Sequence, residues 1–279
     1  MNNTFNINRF GKILKHDGLN FFPNIILALA IIWAIPVIVF LFTSLMPSDE
    51  TTQLYDPFSR IDIISTLSTI VLIIAPARLY KTCNDPRKGI VYAMLPASTL
   101  EKFLSMVFYC VIVTPIIYIV GALAIDTFLA LFNGPYEGFA VSYYFDTFAK
   151  INAVFERDNV TIDESWILYY KSLSPTFMII LSALGTLTIS SIFMFGNMIF
   201  KRHKTGKMIG ILIILFIIFM IILINYAVHT EVLTHNIEDK AEFVKYTIFL
   251  IMNAIFYAEI IVSALMLFGV YRKLKTQKY

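Results

Sequence analysis

Six apolar runs separated by shorter polar stretches set the plan of this 279-residue chain. They lie at about 25–45, 61–79, 102–132, 172–200, 208–228 and 246–274. A helix needs about 20 apolar residues to cross a bilayer, so each run is a candidate span. The pattern predicts an all-α polytopic membrane protein with six transmembrane helices, a single transmembrane domain over 1–279. Pro36 inside the first run predicts a kink, and Pro76 falls near the end of the second.

Two polar stretches carry patterns of their own. Over residues 4–22, Phe10, Ile13, Leu14, Asp17 and Phe21 fall on one side of a helix, and Arg9, Lys12, Lys15 and His16 sit largely elsewhere. A basic amphipathic helix beside a span predicts an interfacial helix over 1–22. In 133–171, Tyr144, Phe148, Ile151 and Phe155 keep helical spacing, and Trp166, Tyr169 and Tyr170 cluster before the fourth run. Such aromatics favour the membrane–water boundary. This outer segment is too short for a core of its own and predicts one or two interfacial helices. The fourth run is rich in small residues (Ser182, Gly185, Ser190, Ser191, Gly196), which permits close helix packing.

Composition agrees with a membrane protein: 58% hydrophobic, 15% charged, mean hydropathy +0.75. Soluble domains sit nearer a quarter charged. With the N-terminus inside, the inner segments hold 16 of the 22 Lys and Arg residues, which predicts both termini in the cytoplasm. The net charge of +3 belongs to that inner face and calls for no nucleic acid. Cys83 falls in an inner loop and Cys110 in a span, so no disulfide framework is expected. The first apolar run is a full span, so no cleavable signal is read.

Catalytic and metal chemistry finds little support. Thr205-Gly206-Lys207-Met208 lacks the upstream glycine and the following Ser or Thr of a phosphate loop. The four histidines offer no ligand spacing beyond His229 and His235, which read as surface residues of an outer loop at 229–245. Asn159-Val160-Thr161 matches a glycosylation acceptor. Glu259 reads as the one carboxylate deep within a span, an intramembrane polar site by default. Its bland alternative is a packing residue bonded to Asn253 or Ser182. No charge pair between spans is read.

The sharpest local signal is Leu95-Pro96-Ala97-Ser98-Thr99-Leu100-Glu101-Lys102-Phe103. Ser98 and Glu101 form a capping box, and Pro96 disfavours helix at Leu95. A helix is expected to start sharply at Ser98 and run into the third span. Replacing Ser98 and Glu101 by Ala is expected to cost on the order of 1 kcal/mol of helix start, with insertion unharmed.

The run Arg87-Lys88-Gly89-Ile90-Val91-Tyr92-Ala93-Met94 through Ser105 resembles the segment between spans 2 and 3 of ATP-binding-cassette (ABC-2-type) transporter permeases, especially those of Bacteroidota. The opening Phe5-Asn6-Ile7-Asn8-Arg9-Phe10 and the six-span plan also resemble that family. Met106-Val107-Phe108 stands where the family usually has a basic residue. The resemblance implies two protomers, identical or different, forming a pathway through membrane lipid, and a separate cytoplasmic subunit that binds ATP and Mg. Residues 1–22 would match the family's connecting helix. Met94, Leu95, Pro96, Ala97, Ser98, Glu101 and Lys102 would match the segment that couples to the ATPase.

The function expected on this footing is an exporter permease in a bacterial cytoplasmic membrane, not itself an enzyme, moving a hydrophobic or amphipathic substrate. The rival is a membrane sensor or anchor whose outer segment 133–171 binds a ligand. A secondary transporter would want inverted repeats and paired charges, which the sequence does not display.

Overall fold

A computed structural model describes residues 5–44, 57–81, 83, 89–132, 175–234 and 240–276. Every regular element among these residues is a helix: α1 (Ile7–Ser44), α2 (Pro57–Leu79), α3 (Gly89–Met94), α4 (Thr99–Val107), a π-helical stretch (Phe108–Val113), α5 (Thr114–Phe132), α6 (Pro175–Ile199), α7 (Lys204–Thr234) and α8 (Lys240–Thr276). Six helices, counting α4 through α5 as one, are long and apolar enough to cross a membrane, and they coincide with the six runs. The chain is a multi-pass helical membrane protein.

Helix α1 refines the sequence reading. Its 38 residues pass through Pro23 and Pro36 as one helix, so no break separates the amphipathic leader from the first span. At 1.5 Å per residue it is about 57 Å long, well beyond the ~30 Å hydrocarbon layer. The leader's apolar face also does not rest on lipid. Ile13, Asp17 and Phe21 are buried, and the Phe21 ring packs 5.6 Å from that of Tyr109. Protein, not bilayer, takes up that face because an acid on it needs donors that lipid lacks.

One core cluster joins α1, α2 and α5: Phe21, Ile25, Leu29 and Ile32 meet Leu67, Val71 and Ala75, with Tyr118 and Ala122 closing it. Tyr118 donates its hydroxyl to the Ile64 carbonyl at 2.8 Å, and Trp33 donates its indole N–H to the Tyr118 carbonyl at 3.3 Å. Gly121 is required here, because a Cβ would run into the Trp33 ring. A second cluster, built on Tyr80, Tyr92, Met106, Met194, Met198 and Val270, sits where α2, α3, α4, α6 and α8 meet.

Helix α6 packs against α8, α2 and α7, as its small residues predict. Ser190 and Ser191 are fully buried, and Gly196 leaves room for Met208. By contrast, Ile213 to Ile222 of α7 are exposed on every side, a surface only lipid or another apolar chain would satisfy. The helix of the fifth run is longer than expected. It reaches Thr234, so His229 is helical, while His235 lies outside the described residues. The outer segment 133–171 and the acceptor at Asn159 also lie outside them.

Candidate functional site

The capping box forms as the sequence requires. The Glu101 amide donates to Ser98 Oγ at 3.3 Å, and the Ser98 amide donates to Glu101 Oε2 at 2.8 Å. Just upstream, the Ala97 amide donates to the Leu95 carbonyl at 2.7 Å across Pro96, a three-residue turn that reverses the chain between α3 and α4. Lys102 folds back and donates to the Ala93 carbonyl at 2.8 Å, with its ammonium 5.7 Å from the Tyr92 ring. So α3, the turn and α4 form one braced unit.

Glu101 does more than cap its own helix. Its Oε1 accepts the Asn6 amide at 2.8 Å and pairs with Arg9 Nη2 at 3.1 Å. Asn6 is itself the N-cap of α1: its Oδ1 accepts from the amides of Asn8 at 2.9 Å and Arg9 at 3.4 Å. One fully buried carboxylate therefore closes two helix starts that lie about 95 residues apart.

A second polar knot lies one helical turn further along α4. Asp17 of α1 accepts from Ser105 Oγ at 2.6 Å and from the Tyr80 hydroxyl at 3.2 Å, with His16 Nδ1 3.1 Å away. Burial, and then the Asp17 carboxylate, push the Tyr80 hydroxyl well above its ordinary range, so it stays a donor. Tyr109 donates to the Leu14 carbonyl at 2.8 Å, and the same hydroxyl occupies the space a Cβ at Gly18 would need. Three elements, α1, α2 and α4, are thus cross-linked by polar side chains. Cys83 is buried beside this knot, and burial raises its thiol well above its ordinary range.

Helix α4 does continue into the third span, but through the π-helical stretch Phe108–Val113. The cause is Pro115. It has no N–H to give to Val111, and its ring crowds that carbonyl. Widening the turn moves the bonding to i→i−5: the Thr114 amide donates to the Tyr109 carbonyl, and the Thr114 hydroxyl joins it at 2.7 Å.

Of the residues matched to the coupling segment, only Met94 (76% exposed) and Pro96 are at the surface, and Leu95 is half-buried. Ala97, Ser98, Glu101 and Lys102 are buried and shape the segment from within. Removing Glu101 would leave two amides and Arg9 without their acceptor, a cost of several kcal/mol rather than about 1. The double Ala substitution therefore damages the fold as well as the helix start.

The polar residues of the spans differ from expectation. Glu259 does pack against α6, its Oε1 over Gly185, and its carbonyl accepts from Thr188 Oγ1 at 3.2 Å. Neither expected side-chain partner reaches it: Asn253 donates to Phe249 O and Ser182 to Ile179 O, each within its own helix. A second carboxylate also lies within a candidate span. Asp126 of α5 is buried and pairs with buried Arg60 of α2 at 3.5 Å, an inter-span charge pair. Arg60 reads in sequence as loop because it stands at the run's edge, but folding carries it inward. Asn197 of α6 is a further buried polar group, donating to the Pro76 and Tyr80 carbonyls at 3.0 Å each. It adds a donor to carbonyls at the end of α2, where the regular helical ladder stops.

No protein-family model, curated protein or solved structure matches this chain.

Proposed function

We propose that the chain is the permease subunit of an ABC-2-type exporter in a bacterial cytoplasmic membrane, with both termini on the cytoplasmic side. The observation that carries this reading is the braced α3–turn–α4 unit. It presents Met94 and Pro96 outward at the end of the bundle richest in Lys and Arg, and it runs into the third span through the π-helical stretch. A push there would not be absorbed locally, because Glu101 and Lys102 lock the unit from within. It would pass to the third span and, through Glu101 and Asn6, to α1. The sequence of the unit is also what resembles the permease family.

In this reading a cytoplasmic subunit binds ATP and Mg, and its closure presses on Met94 and Pro96. Two permease protomers, identical or different, tilt their third spans and alternate access for a hydrophobic or amphipathic substrate. The test is a pull-down of the tagged chain in gentle detergent with an ATPase assay, using wild type and Met94→Asp. Met94 is exposed, so the substitution leaves the core intact. A co-purifying ATPase that is lost or uncoupled with Met94→Asp supports the proposal. A wild-type complex without ATPase activity overturns it in favour of a sensor or anchor that uses segment 133–171.

A further inference from the structure

An open cleft of about 400 Å³ lies between the leader half of α1, the end of α2 and α3. One wall is the α1 stripe His16, Asn20 and Asn24, spaced by four residues so that the side chains stand above one another. The facing wall carries Arg78 and Lys81, and neither side chain has an acidic partner among the described residues. Asp17 sits at the floor, but it is only 6% exposed and is already occupied by Ser105, Tyr80 and His16. Asn20 and Asn24 each give one N–H to a carbonyl of α1, at 3.1 and 2.6 Å, which leaves each Nδ2 one further N–H. The accessible chemistry is therefore carried by two cations, with carboxamide N–H groups opposite, which suits a phosphate-class anion.

The position of the cleft selects among phosphate-bearing ligands. The second span ends at Leu79, so Arg78 and Lys81 stand at the membrane boundary. On α1 the polar stripe continues in the same register as Leu27 and Ile31, both exposed and apolar. Asn24 to Ile31 covers about 10 Å of helix rise, a step from headgroup depth to acyl depth. Polar groups that meet a phosphate, followed along one helix face by groups that meet hydrocarbon, match an amphiphile rather than a free anion. Basic pockets at the cytoplasmic ends of spans suit anionic headgroups.

We propose that this cleft binds the headgroup of an anionic phospholipid of the inner leaflet. The lipid would lie along α1 and hold its leader half against the end of α2. The cleft borders the Met94–Pro96 surface, since Leu95 also lines it; the inner-leaflet assignment rests on the proposed cytoplasmic N-terminus, but not on an ATPase partner.

The test is lipid binding to the full chain in neutral detergent, read by native mass spectrometry and by thermal unfolding. The probes are phosphatidylglycerol, phosphatidylcholine and inorganic phosphate. Wild type is expected to hold phosphatidylglycerol in preference to phosphatidylcholine and to be stabilised by it. Arg78→Gln with Lys81→Gln is expected to weaken phosphatidylglycerol binding on the order of 10- to 100-fold. The charge-keeping pair Arg78→Lys with Lys81→Arg restores it, and Lys273→Gln with Lys275→Gln, at the end of α8, leaves it unchanged. Asn20→Ala with Asn24→Ala weakens it from the opposite wall and serves if the first variant does not fold. Equal binding of the two lipids, or equal loss in the α8 control, overturns the site. Inorganic phosphate that stabilises wild type as well as phosphatidylglycerol does, through the same two cations, overturns the lipid assignment in favour of a soluble anion.

Discussion

At the scale of single residues, Glu101 is the side chain on which most depends. Its two oxygens serve three donors from two chain segments: the Ser98 amide is buried, and the Asn6 amide and Arg9 are partly so. Glu101→Gln keeps the shape but turns an NH2 group toward an N–H and weakens the pairing with Arg9. The expected cost is about 2–4 kcal/mol, against about 1 kcal/mol for Ser98→Ala. Thermal unfolding in detergent compares the two, and equal losses would mean that the contacts to Asn6 and Arg9 contribute nothing. The capping box itself is legible in sequence because its partners are three residues apart. Asn6 and Arg9 are not, since nothing local ties position 6 to position 101. Asp17 did leave a signal: an acid in the middle of an apolar stripe has to find donors when that stripe is buried.

Among the elements, the third span is the one with a built-in irregularity. Pro115 displaces the bonding upstream, so the six residues Phe108–Val113 carry wider, weaker turns between two ordinary helical stretches. Pro115→Ala restores the missing donor and is expected to draw this stretch toward α pitch. Hydrogen exchange of the 108–113 amides should then slow relative to wild type. Unchanged exchange would show that proline is not the cause. The spans themselves were readable from run length alone, because a bilayer demands a fixed count of apolar residues. The continuity of α1 was not readable. The leader over 1–22 and the run from about 25 read as two elements, yet one helix passes through Pro23 between them, and burial of Ile13, Asp17 and Phe21 against α2, α4 and the π-helical stretch holds the two halves in one rod.

For the molecule as a whole, opposite ends of the bundle are tied by different chemistry. The end holding α3 and α4 is laced by neutral and charged hydrogen bonds, while the far end of α2 meets α5 through the buried pair Arg60–Asp126. A buried pair destabilises strongly when one partner is removed and weakly when both are replaced by apolar groups. Asp126→Leu alone is expected to cost about 3–5 kcal/mol, and adding Arg60→Met should recover most of that. Thermal unfolding of the two single variants and the double separates the cases, and a double variant as unstable as the worse single would refute the pairing argument. Hydropathy could not reveal this tie, because it scores each residue by itself and a pair exists only in the fold.

The double use of Glu101 also fixes an order in time. The amide of Asn6 leaves the ribosome long before the carboxylate it needs, some 95 residues earlier. At 5–20 residues per second the interval is roughly 5–20 s. Throughout it, the first turn of α1 has its Asn6 cap but no acceptor for that cap's own amide. Locking of the N-terminus therefore waits on synthesis of the third span's first turn, and it registers that two crossings have already been laid down.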